Sequence, residues 1–84
     1  MNHPVDIHVG QKIKQRREEI PMTASKLGER LGISFQQVSK YEKASNRVSA
    51  SRLVDIAHVL DVEPAYFFEG LEYKPMVDIS SPNL

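Results

Sequence analysis

A tight turn between two short helices is written into residues 24–43, and it constrains this chain more than any other feature. Leu27 and Leu31 lie four apart and so share one helical face. Gly32 follows at once, where a helix end in the left-handed region favours the residue without a Cβ. Ser34 and Gln37 then make an S-x-x-Q capping box, in which the hydroxyl accepts from the third amide and the glutamine side chain reaches back. A second helix therefore starts at Ser34. Val38 and Tyr41 turn its inner face onto Leu27 and Leu31, and Gly28 removes bulk that would hold the two helices apart. Phe35, Gln36, Gln37, Ser39 and Lys40 are left mainly for the outside.

The rest of the chain adds three helical pieces, so the expected class is all-α with five helices. Helix one is expected from about Asp6 to Glu19, with Val9 and Ile13 inward and Pro21 preventing continuation. Helix four begins after Ser49, a good N-cap, and carries Leu53, Ile56, Ala57 and Leu60 at the spacing of a buried stripe. Helix five opens at Pro64, a favourable first-turn residue, and runs to about Phe68 before Gly70. Residues 1–72 are expected to form one domain, and residues 73–84, with two prolines and two serines after Tyr73, an irregular tail. Eighty-four residues bury a modest core unless something else helps, and dimerisation is one such help.

Charge is distributed unevenly although its formal sum is zero. Residues 11–52 hold ten Lys or Arg against four acids, and the remainder holds Lys74 against seven acids. A basic half thus coincides with the helical pair, and an acidic half lies away from it. Cysteine is absent, which excludes a disulfide framework and thiolate metal sites. No apolar run reaches membrane-spanning length, and Met1–Asp6 lacks the segments of a signal peptide, so a cytoplasmic protein is the default expectation. His3, His8 and His58 form no recognisable ligand set, and no nucleophile or phosphate-binding glycine loop accompanies them. Neither an enzyme, nor a metal site, nor a cofactor, nor a small-molecule ligand is expected.

A helical pair with a polar outer face under a basic half suits double-stranded DNA, whose major groove admits the amino-terminal part of the second helix. Gln36 or Gln37 could present an amide to adenine N6/N7, and Lys40 could donate to guanine O6/N7. Phe35 suits a thymine methyl or its own protein surface, and Ser39 faces DNA or water. Thr23 can cap helix two, whose exposed amides suit a phosphate. The competing function is a protein-interaction module, antitoxin or adaptor-like, built on the same helices. Tyr66, Phe67, Phe68, Leu71, Tyr73 and Met76 concentrate apolar surface near the carboxy-terminal end and are the expected homodimer interface.

Residues 10–70 resemble the Cro/C1-type (XRE-like) helix-turn-helix family of bacterial and phage transcription regulators. The similarity runs through Val9, Gly10, Ile13 and Arg17, the turn at Gly32-Ile33-Ser34, Val38-Ser39-Lys40-Tyr41-Glu42, Asn46-Arg47-Val48-Ser49, and Leu53 to Phe68. The opening Val5-Asp6-Ile7-His8-Val9-Gly10 is similar to the start of a proteobacterial subgroup. The resemblance implies a lambda-repressor-like fold and a sequence-specific regulator, with repression by occluding RNA polymerase as the simplest outcome and contact with polymerase as the runner-up. It also implies an ion pair between Arg17 and Glu42, and phosphate contacts by Lys43, Asn46, Arg47 and Ser49. Three residues depart from the family pattern. Ala24 replaces a glutamine that touches phosphate, Ala44 replaces a glycine and is expected to send the loop along another path, and Pro21 is expected to exclude a left-handed cap.

Overall fold

The computed structural model describes residues 2–77, and within them the chain is helical without a strand. Four α-helices are followed by a short 3-10 turn: α1 Pro4–Glu19, α2 Ala24–Leu31, α3 Phe35–Glu42, α4 Ala50–Leu60 and the turn Pro64–Phe68. The fifth α-helix expected from the sequence is therefore this 3-10 turn. Its i→i+3 bonds, Tyr66 N–H to Glu63 O at 2.9 Å and Glu69 N–H to Tyr66 O at 3.1 Å, suit five residues better than an α ladder does. The expectation for residues 78–84 lies outside the described residues.

Each α-helix starts at a side-chain cap. The Nδ1 of His3 accepts from Val5 N–H at 3.0 Å, and Pro4 occupies the first helical position, where its missing N–H is harmless. Helix one consequently begins two residues before the expected Asp6. Thr23, Ser34 and Ser49 accept from the amide three residues on, at 3.0, 3.1 and 3.1 Å. The reciprocal arm of the expected capping box is not made, because Gln37 Nε2 donates to Asn46 Oδ1 at 3.4 Å.

The helix ends share one geometry. A 6→1 backbone bond closes each of them: Met22 to Arg17, Ile33 to Gly28, Ser45 to Lys40 and Val62 to Ala57, at 2.8–3.0 Å. The residue before each donor has positive φ, and only Gly32 at 75° is a glycine; Pro21, Ala44 and Asp61 take 23°, 60° and 58°. Two expectations are thereby corrected. Ala44 follows the left-handed path, with its methyl buried in compensation. Pro21 has φ 23°, within the helix end that it was expected to exclude.

The core is built from every α-helix and the 3-10 turn. Val9, Ile13, Leu27, Val38, Leu53, Ile56, Ala57, Leu60 and Phe67 form one buried cluster, with Leu31, Ile33, Tyr41 and Tyr66 partly covered against it. Two glycines set the closest approaches. A Cβ on Gly10 would lie 2.6 Å from the carbonyl oxygens of both Tyr41 and Glu42, so α1 rests directly on the end of α3. A Cβ on Gly28 would lie 2.6 Å from Ile33 O, so its small size serves the turn itself.

Candidate nucleic-acid interface

Helix α3 is oriented by an ion pair behind it. Arg17 Nε and Nη2 donate to Glu42 Oε2 and Oε1 at 2.7 and 3.1 Å, and Nη1 donates to Met22 O at 2.9 Å. Both side chains are largely buried, which requires such pairing. The hydrogen bond from Glu42 raises the Arg17 pKa above its usual value, burial opposes this, and attraction from Glu42 and Glu18 adds to it. The pair ties α1 to the last residue of α3 and leaves the amino-terminal half of α3 to project.

On the outward face of α3, Phe35, Gln36 and Lys40 are exposed and Ser39 is half-buried. Phe35 is 52% exposed, so it is not packed as a staple on its own protein. The same groove is lined by Gln11 and Lys14 of α1, Ala24 of α2, and Lys43 and Ser45 beyond α3. Ala24 leaves room there that a longer side chain would fill. Gln37 stands apart, bonded to Asn46. Thr23, Lys43, Asn46, Arg47 and Ser49 are all exposed, Lys43 in this groove and Asn46 and Arg47 beside Asp6 in another, with Thr23 and Ser49 capping α2 and α4. Arg47 Nε donates to Asp6 Oδ2 at 2.9 Å.

Gln11 and Lys14 were not among the residues expected at this face. Their signal is spacing: positions 11, 14 and 17 share one side of α1, and Arg17 turns that side toward α3. Several basic residues have structural partners instead. Arg16 Nε donates to Leu60 O at 2.8 Å and Arg52 Nη1 to Leu31 O at 3.3 Å, satisfying carbonyls at two helix ends. Lys12 Nζ lies 4.2 Å from the Tyr66 ring centroid. The cationic face is therefore narrower than the charge count suggests, with Lys14, Lys40 and Lys43 in the groove itself.

The expected dimer patch is divided by the fold. Phe67 is fully buried and belongs to the core, so it offers no surface; this corrects the expectation. Tyr66 is mostly internal, Leu71 and Tyr73 are half-buried, and Tyr73 meets His3 edge-on at 4.8 Å. Phe68 and Met76 are exposed. Among the described residues no group of three or more His, Cys, Asp or Glu side chains converges as a metal site, and no helix is long and apolar enough to cross a membrane.

A helix-turn-helix family model matches residues 13–67. An uncharacterized HTH-type transcriptional regulator of Sinorhizobium medicae is 55% identical over 67 residues, covering 80% of this chain and 48% of that protein. The chain spans about half the length of the curated relatives it matches first. Among solved structures, the restriction-modification controller protein C.AhdI from Aeromonas hydrophila superposes with a TM-score of 0.70 at 24% identity, covering 74% of this chain and 94% of that one. The P22 c2 repressor, solved with a synthetic operator, gives 0.67 at 24% identity with the same coverage. At that identity these two likenesses establish the lambda-repressor-like fold alone. Family match, identity and architecture agree, and the chain belongs to the Cro/C1-type helix-turn-helix family.

Proposed function

We propose that this chain is a sequence-specific, double-stranded-DNA-binding transcription regulator that reads the major groove with α3. The observation that carries this reading is the exposed amino-terminal half of α3, set by the Arg17–Glu42 pair into a groove it shares with Lys14 and Lys43. The names of the relatives, HTH-type transcriptional regulators, support it. Phe35, Gln36, Gln37, Ser39 and Lys40 are the base-reading set, with Gln36 and Lys40 foremost because both are exposed and able to meet base edges. Thr23, Lys43, Asn46, Arg47 and Ser49 position the duplex through phosphate.

A twofold dimer places two α3 helices in successive major grooves about 34 Å apart, and Phe68 and Met76 are its exposed apolar contacts. Occlusion of RNA polymerase from an operator is the simplest output, and the site of action is the cytoplasm. The test is binding selection from a randomised duplex library, followed by Gln36→Ala and Lys40→Ala. Each variant should lose about 1–3 kcal/mol of discrimination at one base position. Selection that returns no motif, or variants that discriminate as the parent does, would overturn the proposal in favour of a protein-binding module.

A further inference from the structure

Arg47 makes a contact 41 positions away in sequence. It sits in the loop after α3, yet its Nε donates to Asp6 Oδ2 at 2.9 Å, across to the first turn of α1. Its neighbour Asn46 meanwhile accepts from Gln37 on α3. The loop is thus registered on one side to the reading helix and on the other to α1. The Arg47 side chain is 73% exposed, whereas that of Asp6 is 22% exposed. Asp6 is held by its own helix, packed beside Val5 and Val9, and an acid in a helix's first turn is favoured by the dipole.

The form of the contact distinguishes a brace from a competitor. A guanidinium offers five N–H donors, and a carboxylate that competed with phosphate would take the two-bond fork. Here a single bond reaches Nε, and the two terminal amino groups make no other hydrogen bond among the described residues. We propose that Asp6 is a positioning residue: it holds Arg47 side-on so that the terminal amino groups face a phosphate already oriented. This inference rests on the DNA-binding reading above.

The experiment measures affinity for the selected duplex in the wild-type chain, Asp6→Asn, Arg47→Ala and the double variant, alongside thermal melting. Asp6→Asn removes a negative charge, so long-range electrostatics alone would tighten binding. The brace predicts the opposite, a loss of about two- to fivefold, the size expected of an exposed ion pair. It further predicts no loss from Asp6→Asn when Arg47 is already Ala, and a salt dependence about one contact shallower for Arg47→Ala. Unchanged or tighter binding by Asp6→Asn overturns the proposal, as does an equal loss without Arg47, which would mark a merely structural role. A wild-type chain that selects no duplex refutes the underlying function, and the inference with it; that outcome is distinguishable because it precedes any variant.

Discussion

Arg17 and Glu42 form a two-bond fork at 2.7 and 3.1 Å, across 25 positions of sequence, while the third arm of the guanidinium holds Met22 O. Removing one partner strands a largely buried charge, so Arg17→Ala should cost about 3–5 kcal/mol in urea unfolding. Arg17→Lys should recover little, because an ammonium cannot reproduce the fork. Because folding raises the arginine's pKa, its contribution is fully present at neutral pH, where the carboxylate is ionised, and is lost on the alkaline side only as pH climbs through strongly alkaline values. The difference in stability between wild type and Arg17→Ala attributable to this titration should stay constant between about pH 7 and 9; a slope there would place the cause in another group.

Gly10 and Gly32 are required for opposite reasons, and alanine separates them. At Gly10 the added methyl meets two carbonyl oxygens at 2.6 Å, so Gly10→Ala should cost about 1–3 kcal/mol and displace α1 from α3. At Gly32 the space is open but φ is 75°, so the loss there should be about 1–2 kcal/mol and purely conformational. Chemical shifts at Tyr41 and Glu42 should move in the first variant and stay in place in the second.

The left-handed helix ends leave room for stabilisation. Asp61 is exposed at φ 58°, and Asp61→Gly should raise stability by up to about 1 kcal/mol. Ala44→Gly should gain a similar amount. Relief of about 1–2 kcal/mol of backbone strain is offset by about 0.8 kcal/mol for the buried methyl it removes. Thermal melting of the two variants measures these effects, and a lower midpoint for Asp61→Gly would contradict them.

Phe67 and Phe68 are adjacent and should behave as different kinds of residue. Phe67→Ala opens the core and should cost about 3–5 kcal/mol. Phe68 is 43% exposed, so Phe68→Glu should cost below about 1 kcal/mol while dissociating the proposed dimer in sedimentation. A Phe68→Glu chain that sediments as the wild type does would remove Phe68 from the proposed interface.

Salt should weaken operator binding steeply. A dimer making about six to ten phosphate contacts loses about three to five decades of affinity between about 50 and 200 mM salt. A flat response in an anisotropy titration would remove Lys43, Arg47 and their neighbours from the phosphate set.

Local chemistry alone determined where this chain makes its helices. Thr23, Ser34 and Ser49 begin them, Gly32 ends one, and the apolar spacing of Leu53, Ile56, Ala57 and Leu60 names the buried face, because caps and periodicity act over a few residues. The exposure of Phe35, Gln36 and Lys40 on α3 was legible for the same reason, whereas Gln37 and Ser39 are half-buried. Partners across the chain were not legible. That Arg16 and Arg52 close helix ends, that Lys12 covers Tyr66, that Arg47 leans on Asp6, and that Gln11 and Lys14 line the groove beside α3 depend on helices brought together by the core. The tertiary closure also decided Phe67 against Phe68 and put Ala44 into a conformation its own propensity opposes. Burial of one shared apolar cluster outweighs a local strain of about 1–2 kcal/mol, and only the assembled packing says where that happens.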